Sequence, residues 1–206
     1  MEQKRTIIFG GSFDPVHFGH LIMVQSVAEK VQADKIILIP TCANPLKNPP
    51  VATNSQRLEM LKLAVEGQTE FEICDIELNR KPPSYSYNTI VELESRFNSK
   101  PALIVGADMI VDLHRWYRVD DLLSVCDLII ACRLPANIAQ MRKMLQQKTG
   151  LLQDKHIKQI SQSIIETPMI DISSTLIRDR VKQGLSVDFL VPAKVAEYIK
   201  TQQIYR

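Results

Sequence analysis

Short β-branched apolar runs alternate along this chain with longer stretches in which apolar residues recur every three or four positions. The runs are Thr6-Ile7-Ile8-Phe9, Lys35-Ile36-Ile37-Leu38-Ile39-Pro40, Pro101-Ala102-Leu103-Ile104-Val105 and Asp127-Leu128-Ile129-Ile130-Ala131-Cys132-Arg133. Continuous apolar runs of this length predict strands buried on both faces. Between the first two, Leu21, Val24, Val27, Ala28 and Val31 mark an amphipathic helix to about Ala33. A strand, helix, strand unit implies a right-handed crossover and parallel pairing. Residues 71–78 alternate and predict a third strand, antiparallel or at an edge, and 163–166 a last short one. Helices are expected over 54–67, 86–97, 119–124, 136–148, 173–184 and 192–200. The polar stretch 150–162 carries little signal. The fold class is α/β, with residues 1–206 read as one domain.

The turn after the first strand holds the densest chemistry. Gly10-Gly11 lets the backbone turn sharply and approach a ligand, Asp14-Pro15 is turn chemistry, and a helix starts after His17. Free N–H groups and the helix dipole then point at an anion. His17 and His20, three apart, lie on one face of that first turn, and Gly19 between them keeps the face low. A lone histidine here would read as a packed or surface residue; two at this spacing, directly after Gly-Gly-Ser-Phe-Asp-Pro, read as a phosphate site.

Charge narrows the partners. Lys and Arg number 25 against 23 Asp and Glu, so nothing suggests a nucleic-acid glove or a membrane-binding surface. Cys42, Cys74, Cys126 and Cys132 show neither a C-x-x-C pair nor zinc spacing, and read as reduced thiols of a cytoplasmic protein. After Lys4-Arg5 only four residues, three of them apolar, precede the glycines, too few for a signal peptide, and Leu122 to Cys132 is too short to span a bilayer.

Further polar loops fall at the carboxyl ends of predicted strands, the edge where open α/β sheets bind ligands. Lys47 sits in a proline-rich loop, as a solvated lysine or a phosphate contact. Arg57, in a first helical turn, is placed for an anion or for the surface. Ser84-Tyr85-Ser86 starts a helix and either caps it or offers N–H groups to an anion. Gly106 permits close approach, and Asp108 suits ribose hydroxyls or a cap. Trp116, the only tryptophan, is core or a platform for a flat ring, with Tyr117 beside it. Arg133 ends its strand at the same edge. Ile172-Ser173-Ser174-Thr175-Leu176-Ile177-Arg178 puts hydroxyls at a helix start with an arginine able to lean back over them.

The stretch Gly10-Gly11-Ser12-Phe13-Asp14-Pro15-x-His17-x-Gly19-His20 resembles the His-x-Gly-His signature of the nucleotidyltransferase α/β-phosphodiesterase superfamily, in the version of the nicotinate-nucleotide adenylyltransferase family. Four further segments are similar to that family: Pro40-x-x-x-x-Pro45-x-Lys47, Arg80-x-x-x-Ser84-Tyr85-Ser86, Gly106-x-Asp108…Leu113-x-x-Trp116 and Ile172-Ser173-Ser174-Thr175-x-Ile177-Arg178. Two positions depart from it: Leu46 stands where many members have histidine, and Asn88 where aspartate is common.

The resemblance implies a Rossmann-like open parallel sheet flanked by helices, of the His-x-Gly-His nucleotidyltransferase type. It implies transfer of AMP from ATP to nicotinate mononucleotide, in NAD biosynthesis, with Mg²⁺ bound mainly through the ATP phosphates. His17, His20 and Arg178 would be catalytic. Gly10, Gly11, Ser12, Phe13, Gly106, Asp108, Arg133, Ile172, Ser173 and Ser174 would hold ATP. Asp14, Lys47, Ser84, Tyr85, Ser86, Trp116 and Tyr117 would hold the nicotinate nucleotide. The expected assembly is a monomer or small homo-oligomer.

Phosphopantetheine adenylyltransferase shares fold and chemistry, but lacks the Ser84-Tyr85-Ser86 and Asp108…Trp116 elements. A nicotinamide nucleotide as acceptor stays open. A class I aminoacyl-tRNA synthetase would need a much longer chain. A Rossmann oxidoreductase is disfavoured by the missing G-x-G-x-x-G. A non-catalytic nucleotide sensor would be expected to lose one histidine or Arg178, and all three are present.

Overall fold

The computed structural model describes residues 5–43, 48–97, 100–110, 112–132, 139, 143, 147 and 153–206. Strands β1 (Thr6–Gly11), β2 (Lys35–Pro40), β3 (Phe71–Ile73), β4 (Ala102–Gly106), β5 (Asp127–Cys132) and β6 (Ile164–Glu166) form one sheet in the order β3-β2-β1-β4-β5-β6. β1 pairs with β4, β4 with β5 and β5 with β6, all parallel, with Ile8 opposite Leu103 and Ile104 opposite Ile129. Leu128, Ile129 and Ile130 of β5 are buried, as a strand covered on both faces requires. Each such side chain removed from water contributes roughly 1.5–3 kcal/mol. The order reverses at β1, so the turn that follows β1 leaves the sheet at a topological switch point.

The helices among the described residues are α1 (Phe18–Val31), α2 (Asn54–Ala64), α3 (Ser86–Glu92), α4 (Val119–Val125), α5 (Asp154–Gln162), α6 (Ser174–Lys182) and α7 (Ala193–Thr201). α1 buries Val24, Val27 and Ala28 of the stripe expected from the sequence, while Leu21 and Val31 are half-buried. α2 is capped by Thr53, one residue earlier than expected. Its hydroxyl accepts from Gln56 N–H while the Gln56 side chain accepts from Thr53 N–H, a reciprocal capping box. β3 stops at Ile73 because the chain turns at Asp75, whose carbonyl accepts from Leu78 N–H; it lies at the sheet edge. α5 occupies the stretch that carried little signal. It buries His156, Ile157 and Ile160, an apolar stripe only one turn long. The expected helix over 136–148 lies outside the described residues, apart from three isolated positions.

The residues divide into two compact units that interleave in sequence. The first comprises Met1–Gly10, Met23–Ile37 and Tyr85–Met169. Within it, α5 is fastened by His156 Nδ1 on Asp120 Oδ1 at 2.9 Å and by Gln159 donating to Asp127 Oδ1 at 2.7 Å. The second comprises Gly11–Ile22, Leu38–Ser84 and Ile170–Arg206. Its core includes Phe13, Val16, Met60, Leu61, Ile177, Val191 and Val195.

Candidate active site

Within the second unit the backbone turns after Gly11, and Phe13 takes a left-handed conformation (φ 47°) that drives its ring into the core. A Cβ on Gly11 would lie 3.1 Å from that ring, which is why the turn needs glycine there. The chain then passes through Asp14 and Pro15 into His17, whose carbonyl accepts from His20 N–H at 2.9 Å and opens α1. No acidic residue occupies the first turn of α1, so its positive end is uncompensated by the helix itself.

The two histidines share a face, as their spacing predicts. Their rings stack with centroids 3.7 Å apart and planes at 25°, and Phe13 meets His20 edge-on at 5.2 Å. His17 is buried and His20 half-buried. The glycine between them is needed for a more specific reason than a low face. A Cβ on Gly19 would stand 3.0 Å from His17 Nδ1 and 3.2 Å from the Ile172 carbonyl oxygen.

That Ile172 contact introduces the segment from Ile172 to Arg178. Ser173 caps α6, its Oγ accepting from Leu176 N–H at 3.1 Å. Ser174 Oγ donates to the Pro15 carbonyl at 2.9 Å. Arg178 Nη1 donates to the Asp14 carbonyl at 2.8 Å, while Nη2 donates to Thr175 Oγ1 at 3.1 Å. The side chain leans toward the start of its helix, as the Cβ direction demands. Two motifs some 160 residues apart in the chain are thus joined: Ser174 to Pro15 across 159 residues, Arg178 to Asp14 across 164.

Beneath them lies a buried polar network. Asp14, 4% exposed, accepts from Ala52 N–H (3.0 Å) and Tyr205 O–H (2.8 Å) on Oδ1, and from Val51 N–H (2.7 Å) on Oδ2. Arg57 is neither on the surface nor in the open. It is fully buried, donating to the Ser12 carbonyl and to Asn54 Oδ1, both at 2.6 Å. Burial pulls its pKa below the ordinary arginine value, and the nearby Asp14 charge opposes that shift. Arg57 is therefore a brace for the Ser12 turn; its place in a first helical turn with no acid was the one sequence signal. Tyr205 was missed, since nothing in its local sequence separates it from an ordinary apolar contact.

In the first unit, Gly106 ends β4 and Asp108 follows exposed in a 3-10 turn. A Cβ at Gly106 would be 2.5 Å from Asp108 Oδ1, so glycine is what admits that carboxylate. Tyr85 and Tyr117 stack at 4.5 Å, Tyr87 meets Tyr117 edge-on at 6.3 Å, and the Arg118 guanidinium lies 4.2 Å over the Tyr87 ring. Trp116 is half-buried, with its Nε1 buried and unpartnered among the described residues. α3 begins at Ser86 behind Tyr85, with no side-chain cap. In the second unit, the Ser84 N–H donates to the Ala43 carbonyl at 3.0 Å. Lys47 and Arg133 lie outside the described residues. Among those described, no group of three His, Cys, Asp or Glu is placed to hold a metal ion, and no helix is long and apolar enough to cross a membrane.

Comparison with known proteins gives a consistent pattern. The cytidylyltransferase-like family matches residues 8–180. A relative from Hydrogenobaculum sp. (strain Y04AAS1), named as a probable nicotinate-nucleotide adenylyltransferase, is 38% identical over 96% of this chain and 96% of its own. One of the same name from Caldicellulosiruptor saccharolyticus is 34% identical over 98% and 99%. The solved Plasmodium falciparum nicotinic acid mononucleotide adenylyltransferase complexed with NaAD has the same fold. It superposes with a TM-score of 0.73 at 18% identity, covering 98% of this chain and 97% of that one.

Proposed function

The chain belongs to the cytidylyltransferase-like family and, within it, to the nicotinate-nucleotide adenylyltransferases, and from that we propose how its residues perform the family's reaction. It transfers the adenylyl group of ATP to nicotinate mononucleotide, giving nicotinate adenine dinucleotide and pyrophosphate, a step of NAD biosynthesis. An oxygen of the acceptor phosphate forms a bond to the α-phosphorus as the bond to the bridging β-oxygen breaks, and pyrophosphate leaves with that electron pair. The acceptor is already a nucleophile, so positioning and charge neutralisation carry the catalysis.

The observation that supports this reading is the union, in one unit, of the stacked His17–His20 pair with the Ser174 and Arg178 arm. In it, His17 and His20 donate to α-phosphate oxygens, with N–H groups of the turn from Gly10 through Phe13. Ile172, Ser173, Ser174 and Arg178 hold the β- and γ-phosphates, and Arg178 stabilises the leaving pyrophosphate. Gly106 and Asp108 receive the ribose, and Arg133 the nucleotide. The segment Ser84-Tyr85-Ser86 meets the nicotinate carboxylate, Trp116 and Tyr117 face the pyridine ring, and Lys47 takes the acceptor phosphate. Asp14 serves the nicotinate-nucleotide side through the turn it anchors.

The donor set fits Mg²⁺ carried by ATP: imidazoles and a guanidinium suit phosphate oxygens, and the Asp14 carboxylate is already taken up by protein donors. When bound, the ion neutralises charge on the phosphates. We take residues 1–206 as one nucleotidyltransferase domain, cytoplasmic, with nucleotides rather than nucleic acid or membrane as partners. It works as a monomer or small homo-oligomer.

The test is pyrophosphate release with ATP and Mg²⁺, comparing nicotinate mononucleotide, nicotinamide mononucleotide and phosphopantetheine. Preference for the first is expected. Release with phosphopantetheine alone would overturn the acceptor, and release with none would overturn the activity.

A further inference from the structure

One buried polar group has no part in that reaction as written: Tyr205, four residues beyond the end of α7. Its side chain is 4% exposed, and its hydroxyl donates to Asp14 Oδ1 at 2.8 Å. The backbone reaches this position through Gln203 (φ 52°) and Tyr205 itself (φ 69°), with Ile204 N–H donating back to the Ile199 carbonyl at 3.1 Å. A bulky side chain takes a left-handed conformation only where its surroundings hold it there. Burial, then the charge and hydrogen bond of Asp14, push the phenol well above its ordinary pKa, so it stays a proton donor.

Asp14 sits between this hydroxyl and the catalytic arm. Its carbonyl receives Arg178 Nη1 at 2.8 Å, while its Oδ2 lies only 3.7 Å from the same nitrogen. Two geometries therefore compete for the guanidinium: donation to the carbonyl, or a closer ion pair with the carboxylate. The Tyr205 proton, with the Val51 and Ala52 N–H groups, holds the carboxylate in the orientation that leaves Arg178 on the carbonyl. Without it, Oδ1 has lost a donor in a buried site, and the carboxylate gains by turning toward the cation.

We infer that Tyr205 is a positioning residue for adenylyl transfer, fixing the Asp14 carboxylate so that Arg178 remains available to the ATP phosphates. This rests on the assignment of Arg178 to those phosphates. Tyr205→Phe removes one oxygen and keeps the buried ring. It is expected to lower kcat/KM for ATP about tenfold, with a smaller rise in the KM of the acceptor, which Asp14 serves only through its turn. A general loss of stability would not produce that split.

The decisive measurement is a double-mutant cycle on the full chain, read by pyrophosphate release. If Tyr205 acts through Arg178, Tyr205→Phe costs nothing further in an Arg178→Ala background. A second pair, Asp14→Asn with and without Tyr205→Phe, should be non-additive in the same way. Unchanged kinetics in Tyr205→Phe, or a tenfold loss repeated in full on top of Arg178→Ala, overturns the inference while leaving the function intact. Full activity in Arg178→Ala alone would overturn the phosphate role of Arg178, and the role of Tyr205 with it.

Discussion

Replacing Gly19 by alanine sets two opposed effects against each other at the centre of the site. Gly19 is helical, the second residue of α1, and alanine in a helix is favoured over glycine by about 1 kcal/mol. Against this, the new methyl would meet His17 Nδ1 at 3.0 Å, His17 Cε1 at 3.1 Å and the Ile172 carbonyl at 3.2 Å. Neither neighbour gives easily. The His17 ring is held in a 3.7 Å stack with His20, and the Ile172 carbonyl is backbone just ahead of the α6 cap. Overpacking of this kind costs about 1–3 kcal/mol, so the steric term wins by roughly 1 kcal/mol. For a chain of this size that lowers Tm by about 2–4 °C.

Turnover should fall further than stability. A misplacement of 1 Å in a reacting array costs on the order of a hundredfold, so a shift of about half that in His17 costs roughly tenfold. Differential scanning calorimetry and pyrophosphate-release kinetics on the same preparation test both. A raised Tm with unchanged kcat would mean that helix propensity dominates and that the His17 ring is free to move. The reasoning would then fail.

Three further outcomes are expected. His20→Ala should lower kcat about a hundredfold, the usual loss for one preorganised donor, while far-UV circular dichroism stays unchanged; normal turnover would remove His20 from the chemistry. Arg57→Met should destabilise the fold by about 1–3 kcal/mol, because it leaves the Ser12 carbonyl and Asn54 Oδ1 without their 2.6 Å donors. An unshifted urea midpoint would contradict this. The buried Cys126 thiol is pushed by desolvation from 9.0 up to about 12. Being raised in the folded state, it contributes full stability below about pH 9 and loses it as pH rises toward 12. Its part of the alkaline slope is on the order of 1.4 kcal/mol per pH unit. Cys126→Ala should remove one proton's worth of that slope in urea titrations between pH 9 and 11, and an identical slope would refute the assignment.

What the residues reveal in advance depends on how local their physics is. The four longest strands, β1, β2, β4 and β5, and α1 follow from apolar runs and a three-to-four spacing, and the runs match β1, β2 and α1 to within two residues. The one-face placement of His17 and His20 follows from helix geometry alone. α5 is not legible in the sequence because its stripe, Ile157 and Ile160 with His156, is one turn long and gains its meaning from Asp120 and Asp127 far upstream. The cap of α2 falls one residue before the Asn54-Ser55 pair because all three are good capping types and the reciprocal Gln56 bond selects Thr53. Arg57 announced itself by an awkward charge, yet its role as a brace required knowing that Ser12 lies 45 residues back and within reach. The bond of Tyr205 to Asp14 is a purely tertiary fact.

The separation of the bonded residues also bears on how the protein comes into being. Ser174 to Pro15, Arg178 to Asp14 and Tyr205 to Asp14 close loops of 159, 164 and 191 residues, and each compact unit is assembled from three separate stretches. Loop-closure entropy grows only slowly with length, by about 0.6 kcal/mol per doubling, but it must be met before such contacts reward it. On the ribosome, Asp14 is made early and waits for most of the chain to emerge before its last partner arrives. Catalytic competence is then a late property of folding, acquired after β1, α1 and β2 have had time to pair, and a nascent chain short of Tyr205 cannot yet complete the network beneath the turn that opens α1.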